Sequence, residues 1–267
     1  MDTIKYIILG MLQGITEPLP ISSSGHVIIL KNLFSNNFIN DLNFEIIINF
    51  GSLIAVLFYF RKDLIKILSD FIKFIKTKEV KYHDNYKLGW LLIISTIPAG
   101  ILGLLLKDVI ENYLNNIKII GFALIITAFL LYIIKDLKGH KKEKNIAWKD
   151  AIIIGLWQAI AIFPGISRSG STIAGSMLSG LNRETAFKYS FLLYIPISFA
   201  TIILGIKDLL SSNQLISLII PYSLSMIAAT ILTYYALIWF KDIVKKGKLI
   251  YFVYYCFVLG TLVVLFL

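Results

Sequence analysis

Residues 7–29 read IILGMLQGITEPLPISSSGHVII, and residues 152–174 read IIIGLWQAIAIFPGISRSGSTIA. Laid over each other at an offset of 145, Gly10 pairs with Gly155, Gln13 with Gln158, Ile21 with Ile166, Ser22 with Ser167, Ser24 with Ser169 and Gly25 with Gly170. Two unrelated apolar segments would share Leu and Ile by chance, not Gln, Ser and Gly. The common kernel Ile-Ser-x-Ser-Gly, preceded in each copy by a proline-containing break, therefore marks an internal duplication.

The rest of the chain decides the solvent in which that duplication folds. Of its 267 residues 57% are hydrophobic and 16% charged, with a mean hydropathy of +0.79; soluble domains carry about 25% charged residues. Six apolar stretches, Ile46–Phe60, Leu88–Leu106, Ile117–Ile134, Phe187–Ile206, Leu215–Phe240 and Leu249–Leu267, approach the roughly 20 residues that cross a bilayer core. They lack the charged faces that soluble helices of this length need. The single cysteine, Cys256, lies in the last of them, so neither a disulfide framework nor a thiolate metal site is available. The first apolar stretch runs into Glu17 and a Pro-Ser-rich loop rather than a small-residue cleavage site, so no cleavable signal peptide is expected.

A net charge of +10 raises the question of nucleic acid, but the distribution of charge answers it. Basic residues concentrate in three connections, Arg61–Lys87, Lys135–Lys149 and Lys241–Lys248, while those near Asn32–Glu45, Lys107–Lys118 and Lys207–Ser217 are nearly neutral. This alternation is the positive-inside pattern, which makes the basic connections cytoplasmic loops that touch lipid headgroups; no nucleic-acid partner is expected. If Arg61–Lys87 is inside, the first polar loop starts and returns outside. The second follows the inner Lys135–Lys149 linker, and so starts and returns inside. The two copies then face opposite ways, as inverted-topology repeats do.

Each copy reads as two half-segments around a polar loop: Tyr6–Thr16 and Gly25–Leu33, then Ala151–Phe163 and Ser171–Leu181. About 10–12 apolar residues are too few to span. Pro18, Pro20 and Pro164 end the entering helices, because proline removes a donor and clashes with the preceding turn. Irregular backbone at membrane depth is tolerated only where it is buried or lines a cavity, so the two loops should meet near the middle of the fold. The expected architecture is an all-α polytopic membrane protein, one integral domain over 1–267. It is built from two inverted-topology repeats (about 1–136 and 150–267, with a basic linker at 135–149), each a re-entrant helix pair plus three spanning helices.

Within these apolar halves the polar loops carry the ionisable groups Glu17, His26 and Arg168, and such groups inside a membrane mark function by default. Gln13 and Glu17 are four apart, on one helix face; Ser22, Ser23, Ser24, Gly25 and His26 follow. The second loop supplies Gly165, Ser167, Arg168, Ser169, Gly170 and Thr172. Arginine offers a planar fork for phosphate oxygens, and serine hydroxyls with backbone N–H groups at a glycine-containing helix start cradle anions. A carboxylate such as Glu17 beside a phosphate makes sense with a divalent cation, Mg2+ or Ca2+, between them. Ser22, Ser23 or Ser24 could attack phosphorus, with His26 as base or acid. The set reads as metal-assisted phosphoryl transfer.

Other polar residues have plainer readings. Ser176 and Ser179 are expected to bond back to their own helix. Arg168 and Glu17 could form a purely structural bridge, and Gln158 is expected to hydrogen-bond across helices. His83 and His140 lie in basic loops and are expected to be solvated, and Glu45 with Asn49, one turn apart, reads as a helix-start feature. Trp90, Trp148, Trp157 and Trp239 read as interfacial anchors.

The two loops together, Gln13-Gly14-Ile15-Thr16-Glu17 leading into Ser22-Ser23-Ser24-Gly25-His26, then Pro164 through Thr172, resemble the paired motifs of the bacterial undecaprenyl-diphosphate phosphatases, also called bacitracin-resistance proteins. The likeness covers the whole chain in length, hydropathy and motif order. It implies a multi-pass bacterial cell-membrane enzyme that hydrolyses undecaprenyl diphosphate to the monophosphate, recycling the lipid carrier for cell-wall polymers. It also implies a divalent cation, a site open to the outer face, and bacitracin resistance on overproduction. Carried over, Glu17 is a metal-contacting carboxylate with Gln13 beside it, Ser23 the nucleophile, His26 the acid/base partner and Arg168 the phosphate clamp. Ser167, Ser169 and Thr172 support that clamp. Gln13 in place of a second Glu leaves one carboxylate fewer for metal. Expected partners are the polyprenyl diphosphate, membrane lipids and, as an oligomeric expectation, a second copy of the chain. The competing class is a polyprenyl-phosphate flippase or transporter, which would use the same Arg and Ser residues but would not need the reactive set Glu17, Ser23 and His26.

Overall fold

The computed structural model describes residues 2–33, 42–106, 116–211 and 215–267, and eleven α-helices lie among these described residues. They run from 11 to 31 residues. Four are short: α1 (Asp2–Thr16), α2 (Ser23–Leu33), α7 (Trp148–Ile160) and α8 (Arg168–Leu178). At 1.5 Å per residue they reach roughly 16–23 Å, less than the ~30 Å of a hydrocarbon core. The breaks within each pair fall on the two polar loops, where the prolines put them.

The remaining helices are α3 (Leu42–Tyr59), α4 (Arg61–Thr77), α5 (His83–Leu105), α6 (Ile117–Ile134), α9 (Arg183–Ser211), α10 (Leu215–Lys245) and α11 (Ile250–Phe266). Four of the six stretches expected to span lie in helices long and apolar enough to do so: α5, α6, α9 and α10. α11 has 17 residues, and α3 is one arm of a pair bent by 73° against α4. Much of the three neutral connections, at 34–41, 107–115 and 212–214, lies outside the described residues.

The basic connection Arg61–Lys87, expected as a loop, is mostly helix. Its lysines are spaced so that Ile67, Phe71 and Phe74 share one side, and that side packs on α5: Phe71 and Phe74 meet Tyr86 at ring distances of 4.9 and 4.5 Å. Ile65, Leu68, Ile72 and Ile75 form a second, exposed stripe. The Lys135–Lys149 linker is also pinned. Lys141 pairs with the buried Asp150 at 2.9 Å, and its carbonyl accepts from Asn182 N at 3.0 Å. His83 and His140 are exposed, as expected. Trp157 departs from its expected anchoring role: it packs on Gly175 of α8. The hydroxyls of Ser176 and Ser179, expected to bond back to their own helix, are left without a partner.

Helix packing follows the duplication. α1 lies along α10 and α7 along α5, so each entry helix packs on a long helix of the other half. The aligned glycines make both approaches possible. A Cβ on Gly10 would stand 2.5 Å from the carbonyl oxygen of Ser225, and one on Gly155 would stand 2.7 Å from that of Ser95. Small residues at such crossings allow backbones to close in where lipid supplies no hydrophobic drive. α3 packs against α9 and α6 against α11, while buried Phe60, Phe187, Phe191 and Phe240 fill the core. Large apolar side chains such as Ile101, Phe122, Phe129 and Ile203 stand exposed on the outside. That pattern is an aggregation hazard in water and is at home in lipid.

Candidate active site

The polar loops meet. Gly25 and Gly165 face each other so closely that a Cβ on Gly25 would stand 3.3 Å from the Cα of Gly165. Ser169 Oγ donates to the carbonyl of Leu19 at 3.0 Å, tying the second loop to the first. The duplication shows in the caps. Ser22 Oγ accepts from Gly25 N at 3.3 Å, and its counterpart Ser167 Oγ accepts from Gly170 N at 3.1 Å. Both serines thus satisfy first-turn N–H groups, and the N-termini of α2 and α8 arrive at one place, an anion-favouring arrangement. Ser22 holds φ at +67°, a costly angle for a residue with a Cβ, directly before Ser23. Thr127 of α6 supports the other loop, accepting from Ser167 N at 3.1 Å and donating to the carbonyl of Gly165 at 3.4 Å.

Between the loops lies a cavity of about 370 Å³ whose wall includes Glu17, Ser22, Ser23, Ser24, Ser167, Arg168 and Ser169. Glu17 is its hub. Its Oε1 accepts from Arg168 Nη2 at 2.6 Å, and its Oε2 accepts from Gln13 Nε2 at 2.8 Å and from the Ser23 hydroxyl. The structural bridge that the sequence allowed does form, but it uses only one side of the guanidinium. Nη1 of Arg168 is buried without a partner, and Cζ of the group lies 3.8 Å from the centre of the Tyr194 ring.

Six sequence candidates stand behind the wall rather than in it: Gln13, Gly25, His26, Gly165, Gly170 and Thr172. Thr172 bonds the carbonyl of Arg168 at 2.9 Å and also Ser190, so it holds the start of α8. His26 is the main departure. Its Nδ1 lies 2.7 Å from the carbonyl of Ser22 and its Nε2 lies 2.7 Å from Tyr255 OH, occupying both ring nitrogens away from the cavity. The group beside Ser23 is the Glu17 carboxylate, because α2 turns the side chain three residues after Ser23 toward α11 instead.

Two residues that reach the cavity had been given plainer readings. Asn49, read as a helix-start feature, lines the wall and accepts from Gln13 Nε2 at 3.1 Å; Gln158, expected to bond across helices, lines it with neither amide atom paired. Tyr194 was missed outright. The signal was available, since the same offset of 145 that aligns the loops sets Asn49 opposite Tyr194. Glu45 instead pairs with Lys31 at 2.7 Å.

Among the described residues no cluster of three His, Cys, Asp or Glu could hold a metal. The oxygens near the hub are those of Glu17, Asn49 and Gln13, a hard donor set that fits a cation drawing its other ligands from phosphate and water.

The Bacitracin resistance protein BacA family matches residues 6–262. Undecaprenyl-diphosphatase 1 of Bacillus cereus is 45% identical over 264 residues, 99% of this chain and 97% of that protein. The undecaprenyl-diphosphatase of Oceanobacillus iheyensis is 43% identical over 99% of this chain and 96% of its own length. Undecaprenyl-diphosphatase 1 of Halalkalibacterium halodurans is 41% identical over 97% and 94%. A helical bundle with its two polar loops joined at one cavity thus has a family: the chain belongs to that of the bacitracin resistance protein BacA.

Proposed function

We propose that this chain is a bacterial membrane phosphatase that hydrolyses undecaprenyl diphosphate to undecaprenyl phosphate and phosphate, the activity for which its relatives are named. The observation that carries the proposal is the contact of the Ser23 hydroxyl with a carboxylate that also pairs with Arg168, inside a cavity walled by both polar loops. Binding alone needs Arg168 and hydroxyls; it does not need a base against one serine. That contact favours hydrolysis over a flippase reading.

In this reading Arg168 grips the terminal phosphate through its free Nη1 edge, with the N-termini of α2 and α8 adding partial positive charge. Ser23 Oγ attacks the terminal phosphorus while Glu17 Oε2 takes its proton, and the bridging oxygen leaves with the lipid monophosphate. Water then cleaves the phosphoserine, releasing phosphate and restoring the hydroxyl. His26 positions the turn through the Ser22 carbonyl rather than moving a proton in the cavity. A divalent cation, Mg2+ or Ca2+, would be held by Glu17 with Gln13 and Asn49 and would neutralise charge on the diphosphate. The basic connections are cytoplasmic, the two halves face opposite ways, and the cavity opens toward the outer face. Overproduction confers bacitracin resistance by turning over the same lipid.

The test is phosphate release by the purified protein from undecaprenyl diphosphate, with Mg2+, with Ca2+ and with EDTA. Release that depends on Arg168 and Ser23 supports the reading; no release under any metal condition sinks it.

A further inference from the structure

We infer that Gln158 is a further positioning residue for the terminal phosphate and for the water that reacts with it. The residue is 2% exposed, it forms part of the cavity wall, and neither Oε1 nor Nε2 has a hydrogen-bond partner. Buried side-chain amides are nearly always paired, so an orphan of this kind needs an explanation.

The duplicated copy supplies one. Gln13, the counterpart of Gln158, donates to Glu17 and to Asn49 at 2.8 and 3.1 Å. At the offset of 145, the positions equivalent to those two partners hold Ile162 and Tyr194. Isoleucine accepts nothing. Tyr194 is engaged elsewhere, its ring under Arg168 and its hydroxyl donating to the carbonyl of Asn49 at 3.4 Å. The second half therefore lacks both partners of its glutamine while having the glutamine, and none of the polar side chains that share the cavity wall bonds it. What the fold fails to pair, a ligand in the cavity can.

The second orphan in the same wall points to the same ligand. Arg168 Nη1 is a buried donor without an acceptor, and a phosphate brings several acceptors at once. The terminal torsion of a glutamine is broad, so the amide can turn to the cavity without displacing α7. Nε2 then donates to a non-bridging oxygen of the terminal phosphate, and Oε1 accepts a hydrogen bond from the water whose oxygen ends on that phosphate. Side-chain amides orient water for phosphoryl transfer in other enzymes.

This inference rests on the hydrolytic reading, so the parent protein is assayed beside the variants. Gln158→Met and Gln158→Leu keep bulk and remove both polar atoms. Undecaprenyl diphosphate turnover, inhibition by orthovanadate and the unfolding temperature in detergent are measured for each. The expected result is a loss of about tenfold to a hundredfold in kcat and weaker orthovanadate inhibition, with an unfolding temperature equal to or above that of the parent. Removing an unpaired buried amide relieves the fold, whereas removing a structural cross-helix bond would lower that temperature. Turnover within about twofold of the parent, or activity lost only in step with thermal stability, overturns the inference while leaving the hydrolytic reading intact. An inactive parent would fell both.

Discussion

Arg168→Lys tests the phosphate clamp with the least collateral damage. The side chains of Arg168 and Glu17 are only 17% and 10% exposed, so truncating the arginine would strand a buried carboxylate. That costs about 3–5 kcal/mol and would confuse folding with catalysis. Lysine keeps the charge opposite Glu17. It loses the second N–H edge, represented here by the unpaired Nη1, and it loses the guanidinium whose Cζ lies 3.8 Å from the centre of the Tyr194 ring. A hydrogen bond to a charged group is worth about 1.5–3 kcal/mol, and the cation–π contact about 0.5–2. Part of the latter survives with an ammonium, leaving a loss of roughly 2–4 kcal/mol, or about 30- to 1000-fold in kcat/KM at 1.36 kcal/mol per decade. The assay is initial-rate phosphate release from undecaprenyl diphosphate in detergent, with the unfolding temperature recorded in parallel. A variant that folds normally and works within about threefold of the parent would refute the bidentate role, and leave Arg168 as a bridge to Glu17 and nothing more.

Four further experiments probe the site, the helix packing and the orientation. Glu17→Gln preserves shape and hydrogen bonding but removes the base beside Ser23, and is expected to cut kcat by about 10²–10⁴; intact activity would move the proton acceptor elsewhere. Ser23→Ala should be far more damaging than Ser24→Ala in the same assay, and equal losses would make the hydroxyls a cradle and water the attacking group. Gly155→Leu should prevent accumulation of folded protein, because its Cβ would stand 2.7 Å from the Ser95 carbonyl oxygen and α7 could not lie along α5. Normal yield and melting behaviour would count against that packing. Cysteines placed at the exposed positions Lys76 and Lys142 should resist a membrane-impermeant maleimide in intact cells and react after lysis, with the buried native Cys256 silent throughout. Labelling from outside would reverse the orientation.

The helix breaks were legible where proline coincides with polar loop residues: Pro18, Pro20 and Pro164 fall between helices, whereas Pro98, Pro196 and Pro221, set in apolar runs, are carried inside long helices. The meeting of the loops was legible because membrane depth forbids lipid-exposed irregular backbone. The direction of His26 was not, since it depends on Tyr255, 229 residues away on α11, and no local pattern encodes that contact. The helical character of Arg61–Thr77 was obscured because charge runs read as loops, yet its lysines alternate with Ile67, Phe71 and Phe74 on a face that needs α5 to cover it.

The duplication carries the deepest of these lessons. In a perfect repeat, Gln13, Glu17 and Asn49 would recur as a second hub; instead their counterparts are Gln158, Ile162 and Tyr194, and the serine opposite Ser23 has become Arg168. Each replacement has a visible use. The arginine answers the retained Glu17 across the cavity at 2.6 Å, and the tyrosine ring supports that arginine. Ile162 lines the cavity without adding a second carboxylate to the wall that holds Glu17, where two like charges would repel each other. In the proposed mechanism, the first half supplies the groups that react and the second supplies, at the matching position, the cation that receives the anion. The positions at which the two copies differ are thus the ones that build the asymmetric cavity, and they can be read by subtracting one half of the sequence from the other.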